Sequence, residues 1–341
     1  MKGKNAQPAV GLALGSGSAR GWSHIGVILQ LEEMGIRPQV VAGTSIGALV
    51  GAVYVAGQLK ELAEWVQTLT VRDVVGLMDF SFSGGVVRGE KLFGSFSTRH
   101  ANPNIEDLAQ RYVSVCTDMK TGREIWITEG PVLTAARASC ALPGVFTPVE
   151  HEGRWMLDGG LVNPVPVSAC RALGADVVIA VNLNAQLVGA HLSRASRQLV
   201  EDEMKAEASG ETNEDAAAEI AAADLASDAS LGAEADETIV AVDESGGEKP
   251  VRGFWQRVVG YFGTTNQARP GMFDVVAASI NIMQDRITRS RMAGDPPEIS
   301  LVPLLEDYAL MDFHRAAQAI EEGREVVRRH ESELRAWTQM S

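Results

Sequence analysis

Cysteine is scarce in this chain: Cys116, Cys140 and Cys170 are the only three in 341 residues, odd in number and far apart. That spacing excludes a disulfide framework and a thiolate metal site, and it fits a reducing compartment with the three thiols as small buried hydrophobes. Long apolar runs are missing too, since none reaches the roughly 18 residues of a membrane-spanning helix. The opening MKGKNAQPAV has lysines but no apolar segment behind them, so no secretory leader is read. A cytoplasmic location is expected, at most peripheral to the inner face of the membrane. Basic residues are outnumbered 30 to 44 and the pI is near 4.9. With no basic stripe carrying interleaved aromatics, nucleic acid is not an expected partner.

The acidity is local. Residues 201–248 hold 16 acidic residues and a single basic one, Lys205, and without them 28 acids face 29 bases. From about 186 to 250 the chain is rich in Ala, Glu, Asp, Ser and Gly and poor in aromatic and branched residues. Such a stretch buries too little apolar surface to offset its ordering entropy, and it reads as a flexible acidic insert. Its expected role is a solvated linker or a tether for a protein partner.

What is present is an alternation of strands and helices. PAVGLALG (8–15) is a short apolar run, SARGWSHIGVILQLEEMGI a helix closed by Gly35, PQVVAGTS a second strand and IGALVGAVYVAG a second, apolar helix. This order implies a parallel sheet covered by helices. Strands are also read in YVSVCTD, EIWITE, GADVVIAVNLN and PEISLVPLL, and helices in VLTAARASCALP, GMFDVVAASINIMQDRITRSRMAG and the charged C-terminal stretch. No internal repeats occur. The domain reading is a catalytic core over 8–185, the insert over 186–250, the remainder of the core over 251–325 and a charged helix end over 326–341.

Three motifs carry chemistry. VVAGTSIGALVGA places Ser45 between Gly43 and Gly47. Glycine fills 34 positions, so roughly 0.2 to 0.3 chance G-x-S-x-G matches are expected and the pentapeptide alone is weak. Its setting between a β-branched strand and a helix is that of a nucleophile held on a sharp elbow, the alternative being a structural serine. LGSGSARGWSHIG (14–26) is a glycine-rich turn between the first strand and helix. A dinucleotide fingerprint would need an acid at the end of the second strand, which ends in GTS instead. An oxyanion hole is the favoured reading, because turns after adjacent parallel strands lie at one carboxyl edge, with a tight structural turn as the alternative. In WMLDGGLVNPVPV, Asp158 precedes Gly159 and Gly160. It is read either as a type I′ hairpin turn or as a base. The histidines at 24, 100, 151, 191, 314 and 330 offer no better-placed base.

In this order the three motifs resemble the patatin-like phospholipase family, over residues 8–185 and again over 270–325. SCALPGVFTPV ahead of the aspartate adds to the likeness. The resemblance implies a three-layer α/β/α sandwich around a mainly parallel central sheet. It implies Ser45 as nucleophile and Asp158 as base, without histidine, with Gly43 and Gly47 shaping the elbow and Gly159 and Gly160 positioning the aspartate. Backbone amides of the turn containing Gly15, Ser16, Gly17, Ser18, Arg20 and Gly21 would hold the oxyanion, with Arg20 fixing the turn. The implied substrate is an acyl lipid, a phospholipid or lysophospholipid, and no cofactor or metal is expected. RGFWQRVVGYFG (252–263) sets Phe254, Trp255, Val258, Val259 and Phe262 on one helical face, a candidate membrane contact or a helix packed on the core. The rival readings are a histidine-dependent carboxylesterase and a non-catalytic lipid-binding or interaction protein on the same fold.

Overall fold

The computed structural model describes residues 7–77, 80–81, 86–87, 94, 101–185 and 272–338. The acidic insert, the 252–263 segment, His100 and His191 lie outside the described residues. In chain order the elements begin β1 (Val10–Leu14), α1 (Ser23–Glu33), β2 (Val40–Thr44), α2 (Ile46–Val55), α3 (Leu59–Gln67) and α4 (Val71–Leu77). A small antiparallel pair, β3 (Phe80–Ser81) and β4 (Val86–Val87), precedes β5 (Arg111–Asp118) and β6 (Glu124–Ile127). Next come α5 (Val132–Ser139), β7 (Val149–His151), β8 (Arg154–Asp158), α6 (Val167–Ala172) and β9 (Val177–Val181). The chain closes with α7 (Met272–Gly294), β10 (Ile299–Leu301), α8 (Ala316–Arg329) and α9 (Glu331–Thr338). Residues 325 and 326, read as a boundary, fall inside α8.

The main sheet runs β10-β9-β1-β2-β5-β8-β7, with β6 also paired to β5. The first five strands are mutually parallel, and β6, β7 and β8 add antiparallel pairs at one side. The period-two side-chain rule sorts its residues into two cores. Leu12, Leu14, Val41, Tyr112, Cys116, Ile179 and Val181 join one cluster with α1, α2, α5 and α8. Their neighbours Ala13, Val40, Ala42, Val113, Val115, Val178 and Ala180 join a second with α6. Apolar residues therefore fill both faces of the strands, as a sheet sandwiched between two helical layers requires. Every residue of α2 is buried, which fits a helix apolar on all sides.

The hairpin is not where Asp158-Gly159 suggested. The β7–β8 turn is made by Glu152 (φ 50) and Gly153 (φ 72), which supply the two left-handed residues of a type I′ turn. Asp158 instead ends β8, its amide donating to the Ala141 carbonyl at 2.9 Å.

Helices α1 and α8 meet through glycines. A Cβ on Gly26 would lie 1.8 Å from the Ile320 carbonyl oxygen, and one on Gly323 would lie 2.0 Å from that of Ser23. Since the first turn of α1 supports the glycine-rich turn after β1, this contact also anchors the site. Gly323→Ala is expected to destabilise the fold by about 1 to 3 kcal/mol, as overpacking against backbone does. Urea unfolding with a midpoint equal to the parent's would contradict the crossing described.

Candidate active site

Strand β5 brings two distant motifs together. Its residues Ser114 and Val115 pair with Gly43 and Thr44 of β2 and also with Ile127 and Trp126 of β6. Cys116 and Thr117 pair with Ile125 and Glu124 of β6 and also with Asp158 and Leu157 of β8. A strand has only two edges, so β2 and β8 must share the edge opposite β6. Their carboxyl ends therefore meet head-on, Thr44 opposite Val115 and Asp158 opposite the next residue, Cys116. A side chain at Gly159 would not fit this junction, since its Cβ would lie 2.1 Å from the Val115 oxygen. Side-chain hydrogen bonds stitch it: Thr44 Oγ1 donates to the Asn163 carbonyl and Thr117 Oγ1 to the Asp158 carbonyl, each at 2.8 Å.

The residue after β2 is Ser45, with φ 56 and ψ −125, a conformation that costs a non-glycine residue about 1 to 3 kcal/mol. Its neighbours are pressed against backbone. A Cβ on Gly43 would meet Ala48 Cα at 2.4 Å, and one on Gly47 the Leu14 oxygen at 2.2 Å. The Ser45 amide donates to Ser139 Oγ at 2.8 Å, and Ser139 donates onward to the Val115 carbonyl at 2.5 Å. Ser139 was not singled out in the sequence, because a serine near the end of a helix carries no signal of this use.

Ser45 Oγ donates to Asp158 Oδ2 at 2.5 Å, and the other carboxylate oxygen accepts the Gly160 amide at 2.7 Å. Asp158 is fully buried. Desolvation raises its pKa from 3.8 to about 6, against the opposing pull of the bonds from Ser45 and Gly160. Among the described residues, no histidine bonds to either member of this pair. His24 is buried with its Nε2 against the Gly15 carbonyl at 2.8 Å, which obliges that nitrogen to carry the proton, and burial lowers its pKa to about 4.

The glycine-rich turn lies beside the elbow, as two adjacent parallel strands dictate. Its amides are not equivalent. Those of Gly15 and Ser16 are committed to the Val181 and Pro164 carbonyls at 3.1 and 2.8 Å, so the expectation that Ser16 offers its N–H is corrected. That of Arg20 donates to the Gly17 carbonyl at 3.2 Å. The amides of Gly17 and Ser18 have no partner among the described residues, and both residues line the cleft that contains Ser45. Ser18, not a glycine, takes the left-handed conformation (φ 51), held by its Oγ donating to the Leu310 carbonyl at 2.6 Å. Gly21 is a packing position, where a Cβ would lie 2.2 Å from Ile46 Cγ1. The cleft itself is apolar, with Trp22, Leu49, Trp65, Leu142, Phe146 and Phe313 in its walls.

Two polar residues of the site come from outside the quoted motifs. Asn184 follows β9, and Gln284 projects from α7, a helix separated from it by 86 residues outside the described set. No metal-ligating cluster occurs among the described residues, and none of their helices is long and apolar enough to cross a membrane.

Two stability tests follow from this geometry. Ser45→Gly is expected to be about 1 kcal/mol more stable than Ser45→Ala in urea, because only glycine relieves the strained dihedrals. Asp158 binds its proton more tightly folded than unfolded, so its stabilising contribution is complete below pH 3.8 and is lost as pH rises through about 6. At neutral pH the buried charge costs about 3 kcal/mol, and Asp158→Asn should exceed the parent in stability by more at pH 8 than at pH 4. A pH-independent difference would contradict the burial described.

The patatin-like phospholipase family profile matches residues 12–171, a span that contains Ser45 and Asp158 but neither Asn184 nor Gln284. An uncharacterized NTE family protein of Mycobacterium tuberculosis is 34% identical over 329 residues, covering 94% of this chain and 90% of the relative. The lysophospholipase nte1 of Emericella nidulans is 34% identical over 190 residues, which are 51% of this chain and 12% of that protein. Patatin-like phospholipase domain-containing protein 6 of Mus musculus is 34% identical over 189 residues, 52% of this chain and 14% of that protein. With its strands, its paired Ser45 and Asp158 and a relative matched over nearly its whole length, the chain belongs to the patatin-like phospholipase family.

Proposed function

We propose that this protein hydrolyses carboxylic esters of acyl lipids through Ser45 and Asp158. The observation that carries the reading is the 2.5 Å hydrogen bond from a strained serine to a fully buried carboxylate at an apolar cleft. Asp158 Oδ2 takes the Ser45 proton as Oγ bonds to the ester carbonyl carbon. The carbonyl electron pair moves onto oxygen, where the amides of Gly17 and Ser18 and the N-terminus of α2 stabilise it. Collapse breaks the bond to the leaving alcohol, which departs with the proton from Asp158. Water then attacks the acyl-serine with Asp158 again as base, releasing the acid and restoring Ser45.

The electrostatics suit this assignment. A carboxylate with a pKa of about 6 is a stronger base than an exposed one, and it is still ionised at neutral pH. The apolar walls fit an acyl chain. The names of the fungal and murine relatives favour a lysophospholipid or phospholipid among the lipid esters.

A fluorophosphonate probe followed by peptide mass spectrometry should label Ser45 in the parent and nothing in Ser45→Ala. Labelling should be slowed by two orders of magnitude or more in Asp158→Asn, about the contribution of a positioned base. On a soluble ester, kcat/KM should fall about tenfold per pH unit below pH 6 as Asp158 gains its proton. A folded parent that resists the probe would overturn the esterase reading.

A further inference from the structure

Behind the glycine-rich turn lies a buried cation with no acid beside it. Arg20 is 3% exposed and forms no ion pair among the described residues, although burial lowers its pKa only to about 10. Its Nη2 donates instead to two carboxamides, Asn184 Oδ1 at 3.1 Å and Asn281 Oδ1 at 3.4 Å. A guanidinium has donors and no acceptor, so it determines which way a carboxamide points. Asn184 must turn its oxygen to Arg20 and its Nδ2 outward, where it donates to Gln284 Oε1 at 2.9 Å. Ser16 Oγ donates to the same oxygen, also at 2.9 Å.

Gln284 thus has its oxygen occupied twice and its Nε2 left without an acceptor among the described residues. That nitrogen belongs to a side chain lining the cleft of Ser45. It also adjoins the aspartate loop, since a Cβ on Gly160 would lie 2.4 Å from it. Gly160 is the residue whose amide holds Asp158 Oδ1. One side chain therefore touches both the oxyanion turn, at Ser16, and the loop of the base.

We propose that Gln284 is a substrate-binding residue whose Nε2 donates to an oxygen of the bound ester, with Arg20 and Asn184 as positioning residues that hold it donor-outward. The inference rests on the esterase reading above. Its chemistry is specific. A neutral donor serves an ester oxygen without drawing the proton from Asp158, as a lysine beside the base would. The chain Arg20–Asn184–Gln284 also polarises that donor, because each hydrogen bond strengthens the next. Arg20 therefore acts through two amides and does not place its own charge in the cleft.

The test uses the full chain with two substitutions, each followed by thermal unfolding, fluorophosphonate labelling and kcat and KM on a p-nitrophenyl ester. Q284M keeps the approximate shape and removes both polar functions. Q284E keeps an oxygen for Ser16 and Asn184 but cannot donate when ionised. Both are expected to lower kcat/KM about tenfold or more at pH 8. The activity of Q284E relative to the parent should rise as pH falls and its carboxyl regains a proton. Q284E within twofold of the parent at pH 8 would overturn the proposal and leave Gln284 a packing role, even if Q284M failed to fold. A parent that hydrolyses the ester and labels at Ser45 while both variants match it would defeat this inference alone. A parent that does neither would defeat the esterase reading on which it rests.

Discussion

The shared edge of β5 is the constraint on which the rest of the site depends. A parallel neighbour, β2, and an antiparallel one, β8, occupy successive stretches of the same edge. Their ends are aligned by main-chain hydrogen bonds to adjacent residues, Val115 and Cys116. Each partner of the Ser45–Asp158 bond is one residue or less from a strand end. The small residues around the junction then have a common cause. Gly43, Gly47 and Gly159 stand where backbone from different elements converges, and Ser139 ties the elbow amide to the Val115 carbonyl at the meeting point.

That arrangement stores free energy in two forms. Ser45 is held in a conformation it would not choose alone, and Asp158 is held without water around a charge. Both costs are met by the burial of the surrounding strands and of α2, whose residues leave no room for relaxation. The same burial that makes Asp158 expensive makes it basic. Stability and basicity are therefore opposed at a single carboxylate, as at many sites where a group is kept from its preferred environment. The opposite solution is used for Arg20, whose buried charge is satisfied by carboxamides.

Much of this was legible in the chain because local geometry leaves local marks. An elbow requires small residues flanking the serine, and Gly43 and Gly47 announce it. Apolar runs such as VVIAV in β9 announce strands covered on both faces. The Asp-Gly pair at 158–159 was ambiguous, since the same dipeptide serves a hairpin turn and a strand end; pairing with β5 resolves it, and Glu152-Gly153 makes the turn. Which amides of the glycine-rich turn remain free was not legible. Pro164 and Val181, far along the chain, take the N–H groups of Ser16 and Gly15. Gln284 lay hidden for a similar reason, as a polar residue on a helix usually reads as a solvated face.

The sequence by itself determined the alternation of strands and helices, the elbow at Ser45 and the glycine-rich turn, because each depends on backbone freedom or side-chain chemistry within a few residues; it left Asp158 open between a hairpin turn and a base. Only the tertiary structure decided that Ser45 and Asp158 touch, that Gly17 and Ser18 keep their donors, and that Ser16 and Asn184 occupy the Gln284 oxygen. Those outcomes depend on hydrogen-bond partners up to 268 positions apart, such as Ser16 and Gln284. A donor or acceptor has no fixed use until its partner is in place, and the partners here are brought in by strand register and helix packing.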